Sequence, residues 1–161
     1  MSGFFKAVLV TGARQTGKTT MLKHLAQGHN RTYVSLDDFF ARQLAQNDPV
    51  LFFQTYEPPL IIDEVQYAIA KDELKNPDSI RLYNVLNGLL RLRNVDIYVT
   101  GSNSKMLTKD VLTVFRGRGD EVRVYPISFK EYYAAIGGDK LDAYEEYALY
   151  GGMPLVLSRK T

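Results

Sequence analysis

Eight consecutive residues, Gly12-Ala13-Arg14-Gln15-Thr16-Gly17-Lys18-Thr19, fit the pattern G-x-x-x-x-G-K-[ST] without a gap. These residue types at this spacing suit the holding of a phosphate chain. Consecutive backbone N–H groups at a helix start bind the anion without side-chain bulk. Gly12 and Gly17 permit backbone angles and close approaches that a Cβ would block. Lys18 supplies a mobile point charge for the β- and γ-phosphates. The Thr19 hydroxyl is the expected Mg²⁺ ligand. The binding segment is read as Gly12, Ala13, Arg14, Gln15, Thr16, Gly17, Lys18, Thr19 and Thr20, so a nucleoside triphosphate is the expected ligand. A Gly-rich tight turn is the plainer alternative.

A second constellation lies downstream. Leu60-Ile61-Ile62-Asp63-Glu64 is an apolar run ending in two carboxylates. Parallel sheets place their ligands at the carboxyl ends of strands. Neighbouring side chains there point apart, so Asp63 faces the metal and Glu64 faces an attacking water as general base. Alone, such an acidic pair also reads as the start of a solvated loop. Beside the phosphate cradle it reads as the hydrolytic half of one site.

Two further loops carry polar groups. Thr100-Gly101-Ser102-Asn103-Ser104 follows an apolar strand pattern, and Asn103, then Ser102, is the candidate γ-phosphate or water contact. A helix-capping turn is the competing reading. Phe115-Arg116-Gly117-Arg118-Gly119 offers guanidinium groups for charge developing on a transferring phosphoryl. A solvated basic loop explains it as well. His24 and His29 have no carboxylates at metal spacing and are expected on the surface.

These residues need a scaffold. Apolar runs near 5–10, 32–36, 59–62, 95–99 and 121–125 read as strands. Segments 20–27, 37–45, 79–92, 105–114, 128–136 and 141–150 read as helices, and Asn47-Asp48-Pro49 as a break. The alternation predicts an α/β fold with a parallel five-stranded sheet and helices on both faces. Segments 70–78 and 116–120 are expected to be flexible connections. Five tyrosines between Tyr132 and Tyr150 are expected to pack partly in the core and partly on a half-wet helix face.

The bulk numbers agree. The chain of 161 residues suffices for one domain with a real core, and 45% hydrophobic with 24% charged residues is ordinary globular composition. A formal net charge of +2 does not itself argue for nucleic acid. Without cysteine there is neither a disulfide framework nor a thiolate metal site, which is compatible with the expected cytoplasmic location. No apolar run approaches a membrane span.

The stretches GARQTGKTTML (12–22), YVSLDD (33–38), LIIDEVQ (60–66), YVTGSNSKML (98–107), GR (117–118), YPISFKEY (125–132) and YGGMP (150–154) carry a likeness. Taken together the chain resembles AAA-type P-loop ATPases of the bacterial and archaeal group with a DUF4143 C-terminal domain. The resemblance implies a P-loop NTPase three-layer sandwich with strand order 5-1-4-3-2. It also implies ATP and Mg²⁺ as cofactors, metal coordination aided by Asp63, a catalytic Glu64, a sensor at Ser102 or Asn103, and an arginine finger at Arg118. Arg118 is preferred to Arg116 on this ground. Family members are longer, so residues 1–161 are expected to be the ATPase core. The sheet would occupy about 1–127, and a helical segment, about 128–161, would lead to a further region. A homo-oligomer, and DNA engaged through that further region, are the expected partners besides ATP and ADP.

The expected reaction is ATP plus water to ADP plus phosphate. Two rivals remain open: a small-molecule kinase with the 116–118 loop as lid, and a nucleotide-dependent switch that recruits DNA and hydrolyses little. Arg81, Arg91, Arg93, Lys105 and Lys109 would form the basic face of that switch, against a plainly solvated surface.

Overall fold

The computed structural model describes residues 7–76, 79–91, 95–101 and 119–159. Its strands are β1 (Ala7–Thr11), β2 (Thr32–Ser35), β3 (Leu60–Asp63), β4 (Ile97–Thr100) and β5 (Gly119–Arg123). All pair in parallel in the order β2-β3-β4-β1-β5, the expected 5-1-4-3-2 read from the other edge. The register aligns the carboxyl ends: Ser35 lies opposite Asp63, Ile62 opposite Val99, and Val10 opposite Thr100.

Strand alternation sorts the side chains between two cores. On one face Ala7, Leu9, Val34, Leu60, Ile62, Ile97 and Val99 pack against buried residues of α2 (Phe39–Asn47), α3 (Pro49–Thr55) and α4 (Arg81–Leu89). On the other, Val10 and Ile61 meet Leu22 and Ala26 of α1 (Lys18–Gly28), with Val8, Tyr33 and Tyr98 alongside. The strand order and both helical layers therefore match the expected three-layer sandwich. β3 is buried along its whole length, as an apolar central strand must be.

Local differences from the sequence expectation have local causes. Asp48-Pro49 does end α2, but it also starts α3. The Asp48 amide donates to the Leu44 carbonyl (2.9 Å) while its carboxylate accepts from the Leu51 amide (2.9 Å), and Pro49 occupies the first turn. A break signal thus hid a second helix. Of the segment 70–78, expected to be a flexible connection, the described residues 70–76 include Glu73, a buried carboxylate that accepts from the Ala70 amide, the Arg81 amide and the Arg81 guanidinium at 2.8–2.9 Å. β5 begins at Gly119 rather than Glu121, inside the segment expected to be a loop. The expected helix over 105–114 lies outside the described residues.

Beyond β5, α5 (Phe129–Ile136) and α6 (Lys140–Tyr150) form a hairpin. Ser128 and Glu131 cap α5 reciprocally, and Asp139 caps α6. The tyrosines divide as expected: Tyr132 is fully buried, whereas Tyr144 and Tyr150 are exposed. The hairpin returns the chain to the sheet. Ile127 donates its amide to the Gly152 carbonyl (2.7 Å), and the Tyr147 hydroxyl donates to the Ile127 carbonyl (2.8 Å). A Cβ on Gly152 would stand 2.2 Å from that same carbonyl. Glycine at 152 is what lets the strap lie so close.

Candidate functional site

β1 ends at Thr11 and α1 begins at Lys18, and residues 12–17 form the loop between them. Gly17 caps the helix in a left-handed conformation (φ 91°), so the first amides of α1 face the loop's interior without a competing side-chain cap. The Gly12 requirement has a specific origin. With φ 148°, its ideal Cβ would lie 2.2 Å from the Val124 carbonyl oxygen. The chain leaving β5 passes directly over Gly12, and the Val124 amide donates to the Thr11 carbonyl at 2.8 Å. The close neighbour at Gly12 is this protein segment, where the sequence pattern suggested a phosphate.

The loop closes on itself through side chains. Lys18 Nζ donates to the carbonyls of Gly12 (2.7 Å) and Ala13 (2.6 Å), and the Thr16 hydroxyl donates to the Ala13 carbonyl (2.9 Å). Lys18 is only 5% exposed. Burial pulls its ammonium below the ordinary value of 10.5, while the Glu64 and Asp63 carboxylates pull it back up without cancelling the shift.

Asp63 is the hub. It is 2% exposed, and a charge so placed is tolerated only when hydrogen-bonded. Thr19 Oγ1 donates to its Oδ2 at 2.8 Å and Tyr33 OH to the same oxygen at 2.7 Å, while Thr100 Oγ1 donates to Oδ1 at 2.6 Å. Parity explains the convergence. Tyr33, Ile61, Asp63, Tyr98 and Thr100 all project from the α1 face of three adjacent strands, and Thr19 comes from α1 itself. The loop motif and the acidic strand end, far apart in sequence, are thus joined by a direct hydrogen bond.

Glu64 departs from the strand in a left-handed conformation (φ 58°, ψ 47°), which sends its side chain away from that of Asp63. Its carboxylate accepts a hydrogen bond from the Gln66 side-chain amide, and its own amide lies 3.5 Å from the Thr100 hydroxyl. Arg14, Gln15, Gly17, Lys18, Thr19, Thr20 and Glu64 line one cavity of about 550 Å³, completed by Asp37, Tyr67, Pro154 and Leu155. Pro154 approaches Gly17 closely: its Cγ stands 3.7 Å from where a Gly17 Cβ would be.

The expected residues therefore assemble. The loop 12–17, Lys18, Thr19 and Thr20 meet Asp63 and Glu64. Ser102, Asn103, Arg116 and Arg118 lie outside the described residues. His24 and His29 are exposed. Sequence reasoning missed Thr100, Tyr33, Gln66 and the Pro154-Leu155 wall. Strand parity was the signal available for the first two: once 33, 63 and 100 are placed on neighbouring strands, their shared face follows. Nothing local in the sequence announced that Pro154 returns to Gly17.

The donor set suits a hard divalent cation. Thr19 and Asp63 offer oxygen only, and among the described residues no group of three or more His, Cys, Asp or Glu could hold a metal. Mg²⁺ commonly takes one or two protein oxygens, with waters and substrate phosphates completing its shell. No helix of the described residues is long and apolar enough to cross a membrane.

The model of a family described as "AAA domain" matches residues 4–133. Two curated relatives, an "Uncharacterized protein" of Haemophilus influenzae and "Uncharacterized protein MJ1544" of Methanocaldococcus jannaschii, are each 25% identical over 169 aligned positions. Those alignments cover 92% of this chain but only 40% and 36% of the two relatives, so the chain spans well under half of either. Among solved structures, C. elegans PCH-2 superposes with a TM-score of 0.53 at 19% identity, over 90% of this chain and 40% of that one. That likeness concerns the fold, a P-loop NTPase α/β sandwich. With a family match across most of its length and the loop and acidic strand end joined in one site, the chain belongs to the AAA domain family and has its nucleotide-binding fold.

Proposed function

We propose that this chain is the ATP-binding core of an AAA-type ATPase that hydrolyses ATP to ADP and phosphate with Mg²⁺. The observation that carries the reading is the Thr19–Asp63 hydrogen bond, with Lys18 and Glu64 on the wall of the same cavity. The triphosphate lies along the amides of residues 13–20. Lys18 exchanges the Gly12 and Ala13 carbonyls for phosphate oxygens, a short movement for a flexible stem. Thr19 and Asp63 would hold Mg²⁺, which when bound would neutralise charge on the phosphates. Pro154 and Leu155 would supply an apolar part of the wall of that cavity.

Glu64 accepts the proton of the attacking water as that oxygen bonds to the γ-phosphorus and the bond to the ADP oxygen breaks. The Gln66 side-chain amide donates to Glu64 Oε2 and orients the carboxylate, which leaves Oε1 to engage the water. Asn103 and Arg118 are assigned to sensing the γ-phosphate and to transition-state charge. A second copy of the chain is the natural recipient of an arginine acting in trans. Residues 128–161 are read as the segment leading to a further region, through which DNA would be engaged, and the cytoplasm as the compartment.

The test compares wild type, Lys18→Ala and Glu64→Gln. Mg²⁺-dependent phosphate release from ATP is expected for wild type. Lys18→Ala is expected to lose nucleotide affinity, and Glu64→Gln to bind but release little phosphate. Unchanged ATP affinity in Lys18→Ala refutes the reading. Binding without release favours the switch, and phosphate transfer to a metabolite favours a kinase. Gel filtration with and without ATP tests the trans arginine, which a strict monomer in both conditions rules out.

A further inference from the structure

Tyr33 sits on β2, which contributes none of the residues assigned above to phosphate, metal or water. Yet its hydroxyl donates to Asp63 Oδ2 at 2.7 Å, the same oxygen that accepts from Thr19. β2 is an edge strand beside β3, with Tyr33 paired to Ile61 and Ser35 to Asp63, so the phenol reaches diagonally along the neighbouring strand to the carboxylate. Its side chain packs against the cluster of Val10, Leu22, Ala26 and Ile61, and the Lys23 ammonium stands over the ring, 5.5 Å from its centroid.

We propose that Tyr33 is a positioning residue for the divalent cation, fixing Asp63 in the rotamer that faces Thr19. The inference rests on the reading that Thr19 and Asp63 hold Mg²⁺. Its logic is electrostatic. Asp63 has to be held in place, but a lysine or arginine in this role would neutralise the charge the cation needs. A phenol fixes the carboxylate and leaves its charge intact. Thr100 secures Oδ1 from the buried side, so Tyr33 is the donor that keeps Oδ2 in place when the Thr19 hydroxyl turns to the metal. Partners that orient a metal ligand typically set affinity by about 10- to 100-fold.

Tyr33→Phe keeps the ring, its packing and the Lys23 contact, and removes only the hydroxyl. ATP binding is measured by calorimetry in EDTA and then across a Mg²⁺ titration, with Mn²⁺ occupancy followed by electron paramagnetic resonance. In EDTA the variant is expected to bind ATP as wild type does. Its half-saturating Mg²⁺ and Mn²⁺ concentrations are expected to rise about tenfold or more. Tyr33→Met, a second side chain without a hydroxyl, is expected to show the same shift. An unshifted metal requirement in Tyr33→Phe overturns the role of Tyr33, as does a loss of ATP affinity that is equal with and without metal. A wild-type chain that binds ATP equally in EDTA and Mg²⁺ instead removes the underlying assignment of Thr19 and Asp63.

Discussion

Thr100 sits under the site with 0% exposure, and its hydroxyl is the donor to Asp63 Oδ1. Thr100→Val keeps the branched shape and deletes that donor. Asp63 retains its two bonds at Oδ2, but Oδ1 is left short of a donor in a region that is 2% exposed. A hydrogen bond to a charged group contributes about 1.5–3 kcal/mol, and an orphaned buried acceptor costs a similar amount. The 3.5 Å contact with the Glu64 amide adds little at that distance. A loss of about 2 kcal/mol follows. For a chain with a urea m-value of roughly 2 kcal/mol/M, the midpoint falls by about 1 M. Circular dichroism in urea on the nucleotide-free protein reads this directly. Thr100→Ser, which keeps the hydroxyl, is expected to lose much less. A cycle with Tyr33→Phe should be non-additive by about 0.5–3 kcal/mol, because both donors serve one carboxylate. A Thr100→Val midpoint within about 0.2 M of wild type, or strict additivity with Tyr33→Phe, refutes the claim that Asp63 is held as a single hydrogen-bonded hub.

Other perturbations test other links. Gly12→Ala puts a methyl 2.2 Å from the Val124 carbonyl at φ 148°, so thermal denaturation should reveal a loss of about 1–3 kcal/mol, accompanied by weaker ATP binding. Gly152→Ala collides with the Ile127 carbonyl in the same way and should displace Pro154 and Leu155. Its expected signature is a several-fold loss of ATP affinity with the β-sheet circular dichroism unchanged. Burial pushes the Glu73 carboxyl up, but the Arg81 and Ala70 amides and the Arg81 guanidinium outweigh it and hold the group below its ordinary 4.5. A carboxyl lowered on folding contributes stability above its unfolded value and loses it as pH falls through the folded one. Wild type should therefore lose stability relative to Glu73→Gln as pH drops below about 4.5, and parallel pH profiles for the two would contradict the assignment.

Much of the site was visible in particular residues. Gly12 to Thr19 declared a phosphate cradle because the chemistry needs bare amides, a lysine and a hydroxyl at fixed spacing. Leu60 to Glu64 declared a buried strand with acids at its tip. The alternation of strands and helices gave a parallel α/β sheet, while the strand order came only with the family likeness. Local rules failed where one residue serves two elements, as Asp48 ends α2 and opens α3. Spacing along the chain could thus name the cradle, the acids and the strands, because each depends on neighbours a few residues away. Tertiary structure alone set Tyr33, Thr19 and Thr100 on one carboxylate, Val124 over Gly12, and Pro154 beside Gly17. Those contacts depend on sheet register and on the return path of the α5–α6 hairpin, and both are settled only when the whole core packs.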